Sequence, residues 1–324
     1  MSRADKYETL RKLIQAFSEP SEPYEGTIYH YTSADGISGI IDKHEIWMSN
    51  TTFMNDTTEL KAMGNATGIL RDNDFTNDAV KERWHKMLDP IRTNGVTEPD
   101  YYMASFSKNG DSLEQWRAYG NFCIGFEARK LAIIRKKIFL YECLYTEDKL
   151  REWILAKERI PEWTSLPDEQ RDNAAFNLVN IAPLKYKNEH FCAEEEIRLV
   201  AISHHNWVYA NSPGIYENDL PIHFRPHRLY GFPLPYLKYF IERENNNRPQ
   251  ETQEIETQTE ERKMKERRSK EEASKQRELL PITEVIVGPM AYQREAKTAC
   301  EILLSERGYK QVTVGVSDIP YRGL

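Results

Sequence analysis

Long apolar runs are missing from this sequence. Nothing in it approaches the roughly 18 consecutive apolar residues that a membrane-spanning helix needs. The mean hydropathy is −0.70, so an integral helical membrane protein is excluded. A basic excess is missing too. Lys and Arg number 44 against 51 Asp and Glu, for a formal net charge of −7. That excludes a nucleic-acid footprint over the whole surface and leaves room only for a local basic stripe. Cysteine is scarce and never paired: Cys123, Cys143, Cys192 and Cys300 stand alone, with no CxxC. Such thiols read as buried and reduced, and they offer no structural zinc site. MSRADKYETL opens the chain without the apolar stretch of a secretory signal, so the expected compartment is the cytoplasm and no membrane partner is expected.

The common catalytic signatures are absent as well. There is no GxSxG, HExxH, GxxxxGK(S/T), or GxGxxG after a strand. His223 and His227 have i, i+4 spacing, but Pro226 between them breaks a regular helix, and no metal is expected there. His204 and His205 are adjacent, point apart in regular structure, and read as surface or interface residues.

What is present is an alternation of short strands and helices over 324 residues. Tyr7, Leu10, Ile14 and Phe17 predict an amphipathic helix over 4–17. Strands are predicted at 28–33, 46–49, 101–107, 122–127, 138–145 and 195–202, and in PITEVIVGP and VTVGVS. Ser33 caps a helix bearing Ile37, Ile40 and Ile41. Ser112 and Gln115 have capping-box spacing, with Gly120 as the stop. Residues 146–183 read as mostly helical, anchored by Trp153, Trp163 and Phe176. A last helix carries Ala296, Cys300, Leu303 and Leu304, with Gly308 at its C-terminal end. This order is no regular βαβ alternation. It predicts an α+β fold, a split and largely antiparallel mixed β-sheet core flanked by helices.

One segment departs from globular composition. Of residues 241–280, 21 of 40 are charged, 11 acidic and 10 basic, and almost none form an apolar stripe. The expectation is one α+β domain, with a core at 27–240 and 281–324 and a solvated charged insertion at 242–279.

Three strand-borne polar sets follow from period-two alternation. His30 and Thr32 share one face of their strand, with Tyr29, Tyr31 and Ser33 on the other. Ser105 and Ser107 point together. Glu194, Glu196 and Arg198 point to one side, opposite Ile197, Leu199 and Ala201. Burying such a polar face unpaired is expensive. It therefore either lines a wet cleft or is salt-bridged at an edge.

The motifs, taken in order, resemble one family. They are YHYTS before an Ile-rich helix, WMSN, MNDTTE, SFS followed by DSLxxWxxYG, ExExR, VGP and a closing SxxPYR. Together they resemble the bacterial domain of unknown function numbered two-nine-seven-one, whose members include abortive-infection proteins of the AbiG type. The resemblance spans about 28–322, outside the charged insertion and parts of 66–95 and 146–185. It departs at Phe191-Cys192, where a Trp is expected. A more distant resemblance is to ADP-ribosyltransferases and the DarT-type toxins.

That second resemblance implies NAD as a substrate and a macromolecular target, nucleic acid or protein. It implies His30 and Thr32 as cofactor contacts and Ser105 and Ser107 as shapers of the nicotinamide pocket. Tyr31 or Trp116 would stack on the leaving ring. Glu196 would be the catalytic carboxylate, stabilising the ribose cation, with Glu194 beside it. Arg198 would either orient Glu196 or clamp phosphate. Two alternatives stand beside it. One is a metal-dependent phosphodiester hydrolase using Asp56, Glu59, Glu194 and Glu196. The other is a non-catalytic sensor or interaction module with a partner protein of a defence system. The transferase requires His30 and Glu196 in one cleft; the module predicts a blocked cleft and a paired Glu196–Arg198.

Overall fold

The computed structural model describes residues 24–54, 100–133, 138–158, 184–203, 221–226, 231–241 and 277–320, together with Glu82 and Ala182. The predicted helix at 4–17, the anchors Trp163 and Phe176, His204, His205 and His227, Asn55, Asp56 and Glu59, Tyr321 and Arg322, and most of the charged insertion lie outside the described residues.

In chain order the elements are β1 (Thr27–Thr32), α1 (Ala34–Lys43), β2 (Ile46–Asn50), β3 (Asp100–Ser107), α2 (Leu113–Tyr119), β4 (Phe122–Glu127), α3 (Ala128–Ile133) and β5 (Ile138–Glu142). There follow α4 (Glu147–Glu158), β6 (Glu196–Ser203), β7 (His223–Pro226), β8 (Pro233–Tyr239), β9 (Ile282–Val287), α5 (Gln293–Glu306) and β10 (Thr313–Val316). The fold is α+β, and the ten strands among the described residues form one mixed, mostly antiparallel sheet. The one parallel pair among the described strands is β9 with β10, joined by α5, as a parallel connection requires a crossover.

β3 is the hub. One edge pairs with β6 along its whole length, from Asp100↔Ser203 to Ser107↔Glu196. The other edge is shared. β1 meets it at Tyr29↔Ser107, and β2 meets it at Ser49↔Met103 and Asn50↔Tyr102. The sheet therefore forks there, into β1–β4–β9–β10 on one side and β2–β8–β7 on the other.

Residues directly opposite on paired strands point to the same face. The first face carries Ile28, Phe106, Ile124, Phe126, Ile197 and Leu199, and it packs the main core against Ile37, Ile40 and Ile41 of α1, Leu131 of α3 and Leu304 of α5. The second face carries two smaller clusters. One is Tyr101, Met103, Tyr141, Leu184 and Val200, with Trp153 of α4 against it; the other is Tyr31, Trp116 and Cys123.

Local signals hold in most places. The Ser33 hydroxyl accepts from Gly36 N–H at 3.2 Å, capping α1. Gly120 ends α2 at φ 124°, and Gly308, at φ 86°, follows the end of α5. Ser112 does precede α2, but it makes no side-chain cap; its N–H donates to the Tyr31 hydroxyl at 3.0 Å. The strand expected to reach residue 145 stops at Glu142. Three residues expected in the insertion, 277–279, are tied to the body. Ile241 O accepts from Glu278 N–H at 2.9 Å, Leu280 is buried, and Arg277 bonds the body. The chain leaves and returns at one point, and residues 277–279 belong to the body.

Candidate functional site

Ser105 and Ser107 on β3 face Arg198 and Glu196 on β6 across directly opposed pairs. Tyr29 lies opposite Ser107 on β3's other side, and Tyr31 follows on the same face. This second face of the sheet thus gathers Tyr29, Tyr31, Ser105, Ser107, Glu196 and Arg198.

His30 and Thr32 are not among them. Alternation turns both to the first face, where the His30 ring tilts against Phe106 at 5.5 Å between centroids. Its Nδ1 lies 2.9 Å from the Ser105 carbonyl. A carbonyl only accepts, so Nδ1 carries the proton. Burial, only partly opposed by that bond, lowers the ring's pKa. His30 thus fills the fork between β1 and β2, satisfying a backbone group of β3 at a point where neither strand pairs with it. The expected convergence of His30 with Glu196 is corrected: they occupy opposite faces. Thr32 packs under α1, its hydroxyl 1.9 Å from where a Cβ on Gly36 would stand.

Glu194 also sits differently from its predicted place. It ends a 3-10 turn (Glu189–Glu194), and Glu195 takes a left-handed conformation, φ 43°, before β6 starts at Glu196. The carboxylate still returns to the group, because Lys187 bonds it. Lys187 Nζ also donates to Glu196 Oε2 at 2.8 Å, and Arg198 NH2 donates to the same oxygen at 3.0 Å. The Cys143 thiol lies 3.6 Å from it. The other arm of Arg198 donates to the carbonyls of Leu184 and Tyr186 at 3.1 and 3.2 Å. Tyr145 OH accepts the Glu196 N–H at 2.6 Å.

The group is deep. The side chains of Arg198, Glu196 and Lys187 are 1, 5 and 8% exposed. Burial alone would push the Glu196 pKa up; the Arg198 guanidinium and Lys187 ammonium outweigh it and hold it at about 2. Burial would lower the Lys187 pKa, but Glu196 and Glu194 reverse the sign and raise it. Glu196 and Lys187 are therefore both charged at neutral pH. Two carboxylates meet two cations, and the guanidinium also ties the 184–186 backbone to β6. Sequence reasoning missed Lys187. The signal was charge balance: a face with Glu194, Glu196 and Arg198 carries one uncompensated negative charge, and burying it demands a further cation.

The remaining singled-out residues form a second knot on the same face. Tyr31 OH donates to the Asn109 carbonyl at 2.7 Å and packs edge-on against Trp116, 4.6 Å between centroids. Trp116 Nε1 donates to Asp111 Oδ1 at 2.7 Å, and the Ser317 hydroxyl donates to the same oxygen at 2.6 Å. Gly288 lies against the Trp116 ring, where a Cβ would stand 2.7 Å away. The Ser107 hydroxyl accepts from Asn109 N–H at 3.0 Å, inside the turn. So SFS, DSLxxW, VGP and the Ser of SxxPYR meet and hold one another.

Residues 43–53, 223–226 and 231–240 make a third grouping, of which sequence reasoning singled out WMSN and His223 but not their company. Trp47 of β2 packs on Tyr236 of β8 at 4.5 Å between centroids, with Lys43 Nζ at 5.5 Å and the Arg225 guanidinium at 5.7 Å from its ring. Below it the buried Glu45 accepts from Trp47 Nε1 at 2.8 Å and pairs with Arg277 and Lys238.

Among the described residues no cluster of three or more His, Cys, Asp or Glu is placed to hold a metal ion, and no helix is long and apolar enough to cross a membrane. No family model, curated protein or solved structure matches this chain.

Proposed function

We propose that the chain is a recognition module, the interaction component of a bacterial defence system, and that its ExExR strand is a structural keystone. One observation carries this reading. The Glu196 carboxylate is engaged by Lys187, Arg198 and Cys143 of its own chain, at 5% exposure. A carboxylate that must stabilise a ribose cation needs to face that ribose. Here it faces cations that dock residues 184–194 onto β6. The separation of His30 from it by the thickness of the sheet supports the same reading.

A second reading keeps one favourable observation. Ser107 lies directly across from Glu196, on the face with Tyr29 and Tyr31, where the sheet forks. An ADP-ribosyltransferase would use Glu196, Ser107 and Tyr31 on that face, with NAD as substrate and Trp116 behind Tyr31. The hydrolase reading draws on Asp56 and Glu59, outside the described residues.

The test is incubation of the full chain with labelled NAD, alone and with total cellular nucleic acid and protein. The recognition reading predicts neither NAD loss nor label transfer. Transfer to any acceptor, lost in Glu196→Gln while the variant stays folded, would establish the transferase instead.

A further inference from the structure

Among the described residues, three exposed large aromatic side chains gather at one end of the sheet, where Phe224 of β7, also exposed, turns to the opposite face. Trp47 is 36% exposed, Phe53 44% and Phe232 39%. The β2–β8 register puts Trp47 opposite Lys238 and Ser49 opposite Tyr236, and β7–β8 puts His223 opposite Tyr236 and Arg225 opposite Leu234. All these side chains share the second face of the sheet. Phe53, in the 3-10 turn after β2, lies 5.9 Å from Phe232, which precedes β8. His223 lies 5.5 Å from Tyr236, and Tyr236 4.5 Å from Trp47. The aromatics therefore form a track along β8, from Phe53–Phe232 to Tyr236–Trp47. At strand rise it is roughly 13 Å long.

Among the described residues the cations around this track outnumber the one carboxylate, Glu45, which pairs with Lys238 and Arg277. Lys43, Arg225, Lys238 and Arg277 surround it, and Glu45 beneath is buried at 1% exposure and offset by two of them. Among the described residues of the track this leaves a net positive surface on a chain whose formal charge is −7. An acidic protein gains nothing in solubility from such a patch, and exposed Trp and Phe beside Lys and Arg complement a ligand that is both flat and anionic. A single-stranded nucleic acid is that ligand: its bases stack on aromatic rings while its phosphates take the cations. A sheet face bearing two or three stacking aromatics is a known geometry for reading unpaired bases. Within a duplex the bases stack on one another and hide those faces, so the surface favours single strands.

We infer that the β2–β8–β7 face, centred on Trp47 and Phe232 and flanked by Lys43 and Arg225, binds single-stranded RNA or DNA. The inference rests on the recognition reading above and names the partner class.

The test uses the full chain and fluorescently labelled oligouridylate, oligothymidylate and a duplex of the same length, followed by anisotropy. Saturable binding is expected, tighter for a single strand than for the duplex. Three or four phosphate contacts give a log–log salt slope of roughly −2 to −3. Phe232→Ala and Trp47→Ala should each weaken binding about 5- to 100-fold. Lys43→Gln should flatten the slope by about 0.7. Trp47 also bonds Glu45, so Phe232→Ala and Lys43→Gln, both at exposed positions, decide the matter if Trp47→Ala fails to fold. Binding weaker than about 100 µM to both single strands, equal or tighter binding to duplex, or binding unchanged in Phe232→Ala and Lys43→Gln overturns the inference. The same preparation is assayed for NAD consumption. Consumption without oligonucleotide binding removes the recognition reading itself; absence of both removes only the nucleic-acid partner.

Discussion

Glu196 shows how a side chain's neighbours decide its role. Its folded-state pKa, about 2, lies below the ordinary value of 4.5. A depressed carboxylate pKa contributes stability that is fully present above about 4.5 and is lost as pH falls through 2. The shift corresponds to something on the order of 3 kcal/mol. Denaturant unfolding between pH 6 and pH 2 should therefore show a loss that starts below about pH 4.5 and exceeds that of a Glu196→Gln variant over the same range. Parallel profiles for the two proteins would contradict the ion group as drawn. At the same scale, His30 marks a limit of sequence reasoning. Alternation within β1 separates His30 from Tyr31, and alternation within β6 separates Glu196 from Ile197. Neither says which face of one strand joins which face of another. That depends on the registers Tyr29↔Ser107 and Ser107↔Glu196, which are set by tertiary packing.

Among elements, the legible ones had strong local chemistry. α1 has its cap, its Ile stripe and a left-handed His44 at its end. β4 has an unbroken apolar run from Phe122 to Phe126 suited to a central place in the sheet, and β9 buries Ile282, Val285 and Val287 beside it. β7 and β8 were illegible because Pro226, Pro233 and Pro235 argue against a strand; they survive because β7 is an edge strand and the proline-bearing start of β8 pairs only with it, Pro226 with Pro233 and Phe224 with Pro235, beyond the reach of β2. The break before β6 was illegible because a left-handed Glu195 has no signature of its own. α2 offers a direct test of the fit between elements. At Gly120, φ is 124° and an added Cβ would stand 2.6 Å from the Thr32 carbonyl oxygen. Backbone cannot yield there as a flexible side chain would. Gly120→Ala should destabilise the protein by more than about 1 kcal/mol in equilibrium unfolding. An unchanged midpoint would mean that α2 does not close against the end of β1.

On the scale of the whole molecule, one sheet unites the segments on both sides of the charged insertion, since β9 pairs with β4 and β8 with β2. Composition did not show that Arg277 belongs to the body, because it looks like any other charge in that run. It is the residue that reaches Glu45 at 2.7 Å and the Lys43 carbonyl at 2.8 Å. Replacing residues 243–275 with a short Gly-Ser linker should leave the melting temperature within a few degrees, because closing a shorter loop between neighbouring ends costs little. Extending the deletion through Arg277 should cost more, by exposing Glu45 without one of its cations. Equal melting temperatures for the two deletions would contradict the boundary.

The keystone role of Glu196 is tested most directly by making Glu196→Gln and measuring, on the same preparation, its unfolding free energy and its NAD consumption beside wild type. Removing one charge from a buried group leaves Lys187 and Arg198 incompletely paired. The expected result is a loss of about 3–5 kcal/mol, with no NAD consumed by either protein. A variant of wild-type stability, in a protein whose NAD consumption falls by roughly 10²–10³ on the substitution, would contradict it and return Glu196 to the catalytic role.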